Sequence, residues 1–327
     1  MKINDTLYIL VLICTVLNIY QNLERQIDRV FRHTRQGSYE TRYRYKDGVK
    51  HFAKFMAETY KKQNLNKIEN KHLEAYIEQM MECGYSNSYI TTNLSAIRFF
   101  TDQYKDSSYI KSNKELGAIS RGKDERIGPD RSWEYEEIKK MQELAIIEGE
   151  NRIADMIQIA VDHGFRIHEV IRLERVDLQK GLKEGSIKIK GKGGLVRKVP
   201  VQNRAHIEKL VEETPVRQAK IFVYENEKGH QVIEMAQQFI YNNRDKVRIN
   251  EDEERGALTF HGLRHTYAQN RYEELRHSGK SAEEARKQVS LELGHFRVEI
   301  TDIYLESRKK ETVEDEQERG DQDDERK

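Results

Sequence analysis

Cysteine is scarce in this 327-residue chain, and long apolar runs and net charge are almost missing. The two cysteines, Cys14 and Cys83, supply neither a disulfide framework nor a metal quartet, which fits a reducing, cytoplasmic setting. The longest apolar run, Leu7–Ile19, follows Lys2. It falls short of the roughly 20 residues a spanning helix needs, and no small-residue cleavage site follows it. Residues 1–20 are therefore expected to form an apolar N-terminal extension or core-packing helix, with no membrane role. Lys and Arg total 57 against 56 Asp and Glu, a net charge of +1. The balance hides an asymmetry. Glu306–Lys327 carries ten acidic and six basic residues, so the preceding 305 carry a net of +5. A mildly basic body with an acidic tail is compatible with nucleic-acid binding and does not establish it. Internal repeats and low-complexity tracts are also lacking outside that tail.

The pattern that is present reads as two domains, which the length allows at about 100–200 residues each. Residues 21–110 carry helical periodicity. Tyr45, Val49, Phe52, Met56 and Tyr60 form one apolar stripe in Tyr39–Lys62, and Arg42, Arg44, Lys46, Lys50 and Lys54 lie opposite. Asn70–Cys83 repeats the pattern up to Gly84, and Ser86 or Ser88 is placed to cap a helix through Ile90, Leu94, Ile97 and Phe100. Residues 111–131 read as a linker ending in Gly128-Pro129-Asp130. Beyond it, Ser132 is expected to cap a helix, and another spans Asn151–His163 before Gly164. Alternation of period two around Gly185–Val201, with Ile187, Ile189, Val196, Val199 and Val201 flanking Gly191-Lys-Gly-Gly194, predicts a hairpin. Helices return after it, and Ala257-Leu-Thr-Phe260 reads as strand-like just before His261. Residues 132–310 are thus expected to form a mixed, mostly helical α+β domain, and 311–327 an acidic, disordered tail.

Four short motifs carry the chemistry. Gly164-Phe-Arg166-Ile-His-Glu169 supplies one guanidinium, and His261-Gly-Leu-Arg264-His-Thr266 a histidine and a second guanidinium at a helix start, where anions are favoured. Leu293-Gly-His295 and Tyr304 follow. Lys192 stands between glycines at the hairpin tip, with Lys188, Lys190 and Lys198 as rivals. Attack on a phosphodiester needs fixed cationic donors and an activated hydroxyl, and this set contains both. Each motif alone also has a bland reading: a salt bridge from Arg166 to Glu169 or Asp162, a capping His261, a solvated Lys192, a core Tyr304. His261 and His265 share the i, i+4 spacing of zinc ligands, but Gly262 stands where HExxH requires glutamate. No metal is expected.

Taken together, the four motifs resemble the signature of the tyrosine recombinases, the phage-integrase-like family. The resemblance runs from about Ser132 to Leu305 and more loosely over the helices before it. It implies an N-terminal helical core-binding domain that clamps DNA and a C-terminal catalytic domain. It further implies that Tyr304 is the nucleophile of a 3′-phosphotyrosyl intermediate, that Arg166, Arg264 and His295 hold the phosphate, and that His261 assists while Lys192 protonates the leaving oxygen. Arg42, Arg44, Lys46, Lys50 and Lys54 would contact the DNA backbone. Neither cofactor nor ATP would be needed. The implied partners are double-stranded DNA carrying a specific recombination site, three further copies in a homotetramer, and DNA-bending or directionality factors. The implied role is integration or excision of a mobile element. Replicon dimer resolution is the alternative within the family; a catalytically inactive DNA-binding protein, a histidine metallohydrolase and a type IB topoisomerase are alternatives outside it.

Overall fold

A computed structural model describes residues 2–103, 109–117, 129–191, 194–249, 255–295 and 301–305, with the backbone alone for 2–9. The chain divides into two compact units, Met1–Asp124 and Glu125–Lys327.

The first unit is all helix: α1 (Lys2–His33), α2 (Tyr39–Tyr60), α3 (Asn70–Glu82) and α4 (Asn87–Thr101), with a 3-10 turn at Leu65–Lys67. Ser38 caps α2 and Ser86 caps α4, each hydroxyl accepting a backbone N–H three residues on. The apolar stripe of α2 is buried at Val49, Phe52 and Met56 against Leu73, Tyr76, Leu94 and Ile97. Helix α1 passes residue 20 without a break and adds Ile19, Leu23 and Ile27 to this core, while Leu10, Val11, Ile13 and Leu17 remain exposed. No described helix is long and apolar enough to cross a membrane. Residues 109–117 pack on this unit rather than hanging free: Asn70 holds Tyr109 and Lys111, and Leu116 is buried.

The second unit carries α5 (Tyr135–Ile147), α6 (Asn151–His163), α7 (Ile167–Val170), α8 (Arg175–Glu184), β1 (Ser186–Lys190), β2 (Val196–Pro200), α9 (Arg204–Glu213), α10 (Gly229–Val247), α11 (Gly262–His277) and α12 (Ala282–Leu293). Residues 301–305 are helical. The strands form the one sheet among the described residues, antiparallel, with Ile189 opposite Arg197. The expected mostly helical architecture with a small sheet is present. Three local expectations are corrected. Ser132 does not cap α5; it bonds Asp130, and Glu134 takes the cap position with Glu137 accepting its N–H at 2.8 Å. Residues 257–260, which read as strand-like, pair with no strand. On β2 the inward residues are Arg197 and Val199, while Val196 is 59% exposed.

Candidate active site

The site is built where the ends of α6, α11 and α12 meet. Helix α6 stops at Gly164, whose φ of +63° lies in the left-handed region. A Cβ there would come within 2.4 Å of Tyr267, so only glycine lets the chain turn against that ring. The turn delivers Arg166 to the N-cap of α7, where Glu169 accepts its backbone N–H at 2.8 Å and its Nη1 at 3.1 Å. Of the two bland partners considered for Arg166, Glu169 is real and Asp162 is not; Asp162 accepts from Gln158. Gly262 likewise lets α11 start against the Arg131 carbonyl and Trp133, which a Cβ would strike.

Arg264 is fully buried. Its guanidinium donates to the carbonyls of Gly164 and Leu293, so the C-terminal ends of α6 and α12 are tied to α11 by one side chain. Burial, then the nearby charge of Arg166, lowers it to about 10, which leaves it a cation at neutral pH. Arg264 and Arg166 each place an Nη2 at 3.2 Å from His295 Nε2. His295 is aimed there by Gly294, the left-handed end of α12. Since both arginines donate, Nε2 accepts and the ring proton sits on Nδ1. Burial and then the charges of Arg264 and Arg166 push this histidine down to about 3.

Tyr304 is 7% exposed and ringed by three imidazoles. Its ring centroid lies 4.2 Å from His265, 5.4 Å from His295 and 6.0 Å from His261. Its hydroxyl stands 3.4 Å from His261 Nε2. Its carbonyl accepts from Gln269 at 3.1 Å, which holds the 301–305 turn against α11. The protein packed around His261, followed by Arg264, Arg166 and Arg131, lowers it to about 4, although the residue keeps open access to solvent. His261 is thus a neutral acceptor beside a phenol.

The structure therefore brings Arg166, His261, Arg264, His295 and Tyr304 together across about 140 positions of sequence. Lys192 lies outside the described residues. Among those described, no group of three His, Cys, Asp or Glu side chains is placed to hold a metal ion. Sequence reasoning missed Arg197, 7% exposed on β2, which grips Glu169 with both terminal nitrogens at 2.8 and 2.7 Å. Strict alternation from Val199 would have turned it inward.

In the first unit the five α2 cations are placed differently from one another. Lys46 pairs with Asp28 at 2.9 Å and Lys50 with Glu24 at 2.8 Å, both carboxylates of α1. Lys54 lies 3.9 Å from Glu58. Arg44 bonds Asn93 and covers the Tyr89 ring at 4.6 Å. Arg42 donates to the Thr34 carbonyl and, with Arg32, Tyr39 and Tyr43, lines a surface depression. Also missed were Arg25, Arg29 and Arg32, exposed at i, i+4 and i+7 along α1.

Two clustered guanidinium groups, histidines and a buried phenol on a helical domain, preceded by a separate helical bundle, define a DNA-cleaving and -rejoining enzyme of the tyrosine recombinase type. Residues 133–311 match the phage integrase family, and residues 23–111 match the phage integrase N-terminal SAM-like domain. The chain belongs to the phage integrase family. No curated protein sequence matches it. Among solved structures it is similar to the lambda integrase tetramer bound to a Holliday junction, at 15% identity and a TM-score of 0.61 over 88% of this chain and 78% of that one. It is also similar to XerH recombinase on a palindromic difH substrate, at 21% identity and a TM-score of 0.57 over 86% and 80%. The Tn1549 transposon integrase with transposon right end DNA gives 15%, 0.54, 89% and 98%. These likenesses are of fold.

Proposed function

We propose that this enzyme performs site-specific recombination through a 3′-phosphotyrosyl intermediate, integrating or excising a mobile element. The single observation that carries the mechanism is the convergence of Arg166 and Arg264 on Nε2 of His295, whose ring stacks on Tyr304 at 5.4 Å. The two guanidinium groups, joined by His295 once it is protonated, suit the non-bridging oxygens of a phosphodiester, and fixed donors stabilise the charge that grows there during attack. In the proposed step a bond forms from Tyr304 Oη to phosphorus and the bond from phosphorus to the 5′-oxygen breaks. The phenol proton passes to His261 Nε2, its neighbour at 3.4 Å. The 5′-oxygen takes a proton from Lys192. A phosphate entering the site opposes the cations that depress His261 and His295, so both gain proton affinity when needed. The reverse steps reseal the strand, and the bond energy kept in the link makes ATP unnecessary.

For the partners, we propose a specific duplex site, four copies of this chain on a four-way junction, and DNA-bending or directionality factors. The phosphate backbone would meet the first unit along α2, at Arg42, Arg44, Lys46, Lys50 and Lys54, and also at Arg25, Arg29 and Arg32 of α1. Such contacts set register without reading bases.

A nicked suicide substrate tests the chemistry on a denaturing gel. Wild-type protein should form a covalent adduct, and Tyr304→Phe should bind the same DNA and form none. Arg166→Ala and Arg264→Ala should each slow adduct formation by roughly 10²–10³, the scale for loss of one preorganised donor. Persistent adduct in the phenylalanine variant would remove Tyr304 as nucleophile.

A further inference from the structure

Three segments of the site meet at one side chain that touches none of the reacting groups. Arg197 is buried on β2 of the hairpin, and its planar fork spends every nitrogen on a neighbour. Nη1 and Nη2 donate to the two oxygens of Glu169 at 2.8 and 2.7 Å. Nε donates to the Glu292 carbonyl at 2.7 Å, two residues before Gly294. Gly294 closes over it so tightly that a Cβ there would stand 2.9 Å from Arg197 Cδ. Glu169 is itself 2% exposed and passes the constraint on, accepting from both the backbone N–H and the side chain of Arg166. Lysine could not replace this arrangement, because three acceptors in three directions call for a guanidinium.

We propose that Arg197 is a positioning residue of the strand-cutting step: through Glu169 it fixes Arg166, and through the Glu292 carbonyl it fixes the turn that presents His295. The inference rests on the phosphate-holding roles proposed above for those two residues. Its physical basis is that Glu169 anchors Arg166 only as a carboxylate. Burial works to raise that carboxyl; the two hydrogen bonds and the charge of Arg197 do most to overcome this and hold it near 2, helped by the Arg166 backbone N–H and by Arg264. The charged groups facing Glu169 are Arg197 from β2, Arg166 from the N-cap of α7 and Arg264 from α11. Without Arg197 the largest opposing contribution is gone and the carboxyl moves upward. At lower pH it then becomes protonated and neutral, and the anchor for Arg166 fails. At higher pH it ionises and the anchor returns.

The experiment follows adduct formation by full-length Arg197→Met on the suicide substrate between pH 5 and 9, with DNA affinity measured alongside. We expect the rate at pH 7 to fall about 10²-fold, the cost of a misplaced reacting geometry. Affinity should be unchanged, and the acid limb of the rate profile should move up by at least about one pH unit. Adding Glu169→Gln removes the titrating group, so the double variant should be slow at every pH with no displaced limb. If Arg197→Met does not fold, Arg197→Lys serves: it keeps the charge, loses the fork, and should show a smaller fall and a smaller displacement. A rate equal to wild type in the variant that folds overturns the proposal. So does a rate loss with the wild-type profile, since that is the mark of a merely structural residue. Absence of adduct in wild-type protein is a different failure, that of the recombinase reading beneath it.

Discussion

At the scale of single residues the site depends as much on glycines as on charged groups. Gly164 holds a positive φ and sits where a Cβ would collide with Tyr267, while its carbonyl receives Arg264. Gly164→Ala should therefore destabilise the protein by about 1–3 kcal/mol through overpacking and left-handed strain. Adduct formation should fall as well, because Arg264 loses its seat; thermal denaturation and the suicide assay read the two effects. A melting point equal to wild type would show that the turn relaxes freely. Arg166, His261, Arg264, His295 and Tyr304, which the structure gathers, were legible in the sequence because their types and spacings are unusual together. Arg197 was not, being one of several cations in a hairpin that reads as solvated from its composition. Only its place opposite Ile189, on the face it shares with Val199, sets it apart. His265, which shares the zinc-ligand spacing with His261, packs instead on the Tyr304 ring at 4.2 Å.

At the scale of helices, periodicity located α2, α3, α4 and α6 and the hairpin, since each buries one face and so writes its period into the chain. What periodicity does not contain is which helix covers which. The basic face of α2 reads as open, yet Asp28 and Glu24 of α1 cover Lys46 and Lys50. Such half-exposed pairs contribute little to stability, about 0–1 kcal/mol, but they do neutralise the amines that a phosphate would need. Arg25, Arg29 and Arg32 project from α1 into solvent on one face instead. Changing all three to glutamine should weaken DNA binding more than changing Lys46 and Lys50 does. If each arginine meets one phosphate, the slope of log affinity against log salt should become less steep by about 0.9 per arginine. Equal effects from the two sets, read by titration at several salt concentrations, would show that the pairs with Asp28 and Glu24 do not shield the lysines.

At the scale of the whole molecule, the depressed histidines set how the fold responds to acid. His163 is lowered to about 4, His265 to about 3 and His295 to about 3, burial being the largest cause for each. All three are buried, whereas His261 keeps solvent access and contributes less. The ordinary value for the unfolded chain is 6.5, so on acidification the unfolded state takes up protons that the folded state refuses. Their stabilisation is complete above pH 6.5 and is lost as pH falls from there towards 4 and 3, with a slope of up to about 1.4 kcal/mol per pH unit for each histidine. Glu169 adds a second, lower window: its carboxyl lies near 2 against 4.5, so its contribution survives to about pH 4.5 and disappears below that. Urea denaturation of the full chain should therefore give a midpoint that is level from pH 8 to 7 and drops steeply between pH 6.5 and 4.5, well before carboxylates titrate. His163→Phe should flatten part of that drop, since the His163 ring stacks on Phe165 at 5.3 Å and its nitrogens meet Ile159 and Gln202 rather than the phosphate-facing groups. A midpoint indifferent to pH between 7 and 5 would mean that these imidazoles are hydrated in the folded protein, and the burial of Tyr304 among them would fall with it.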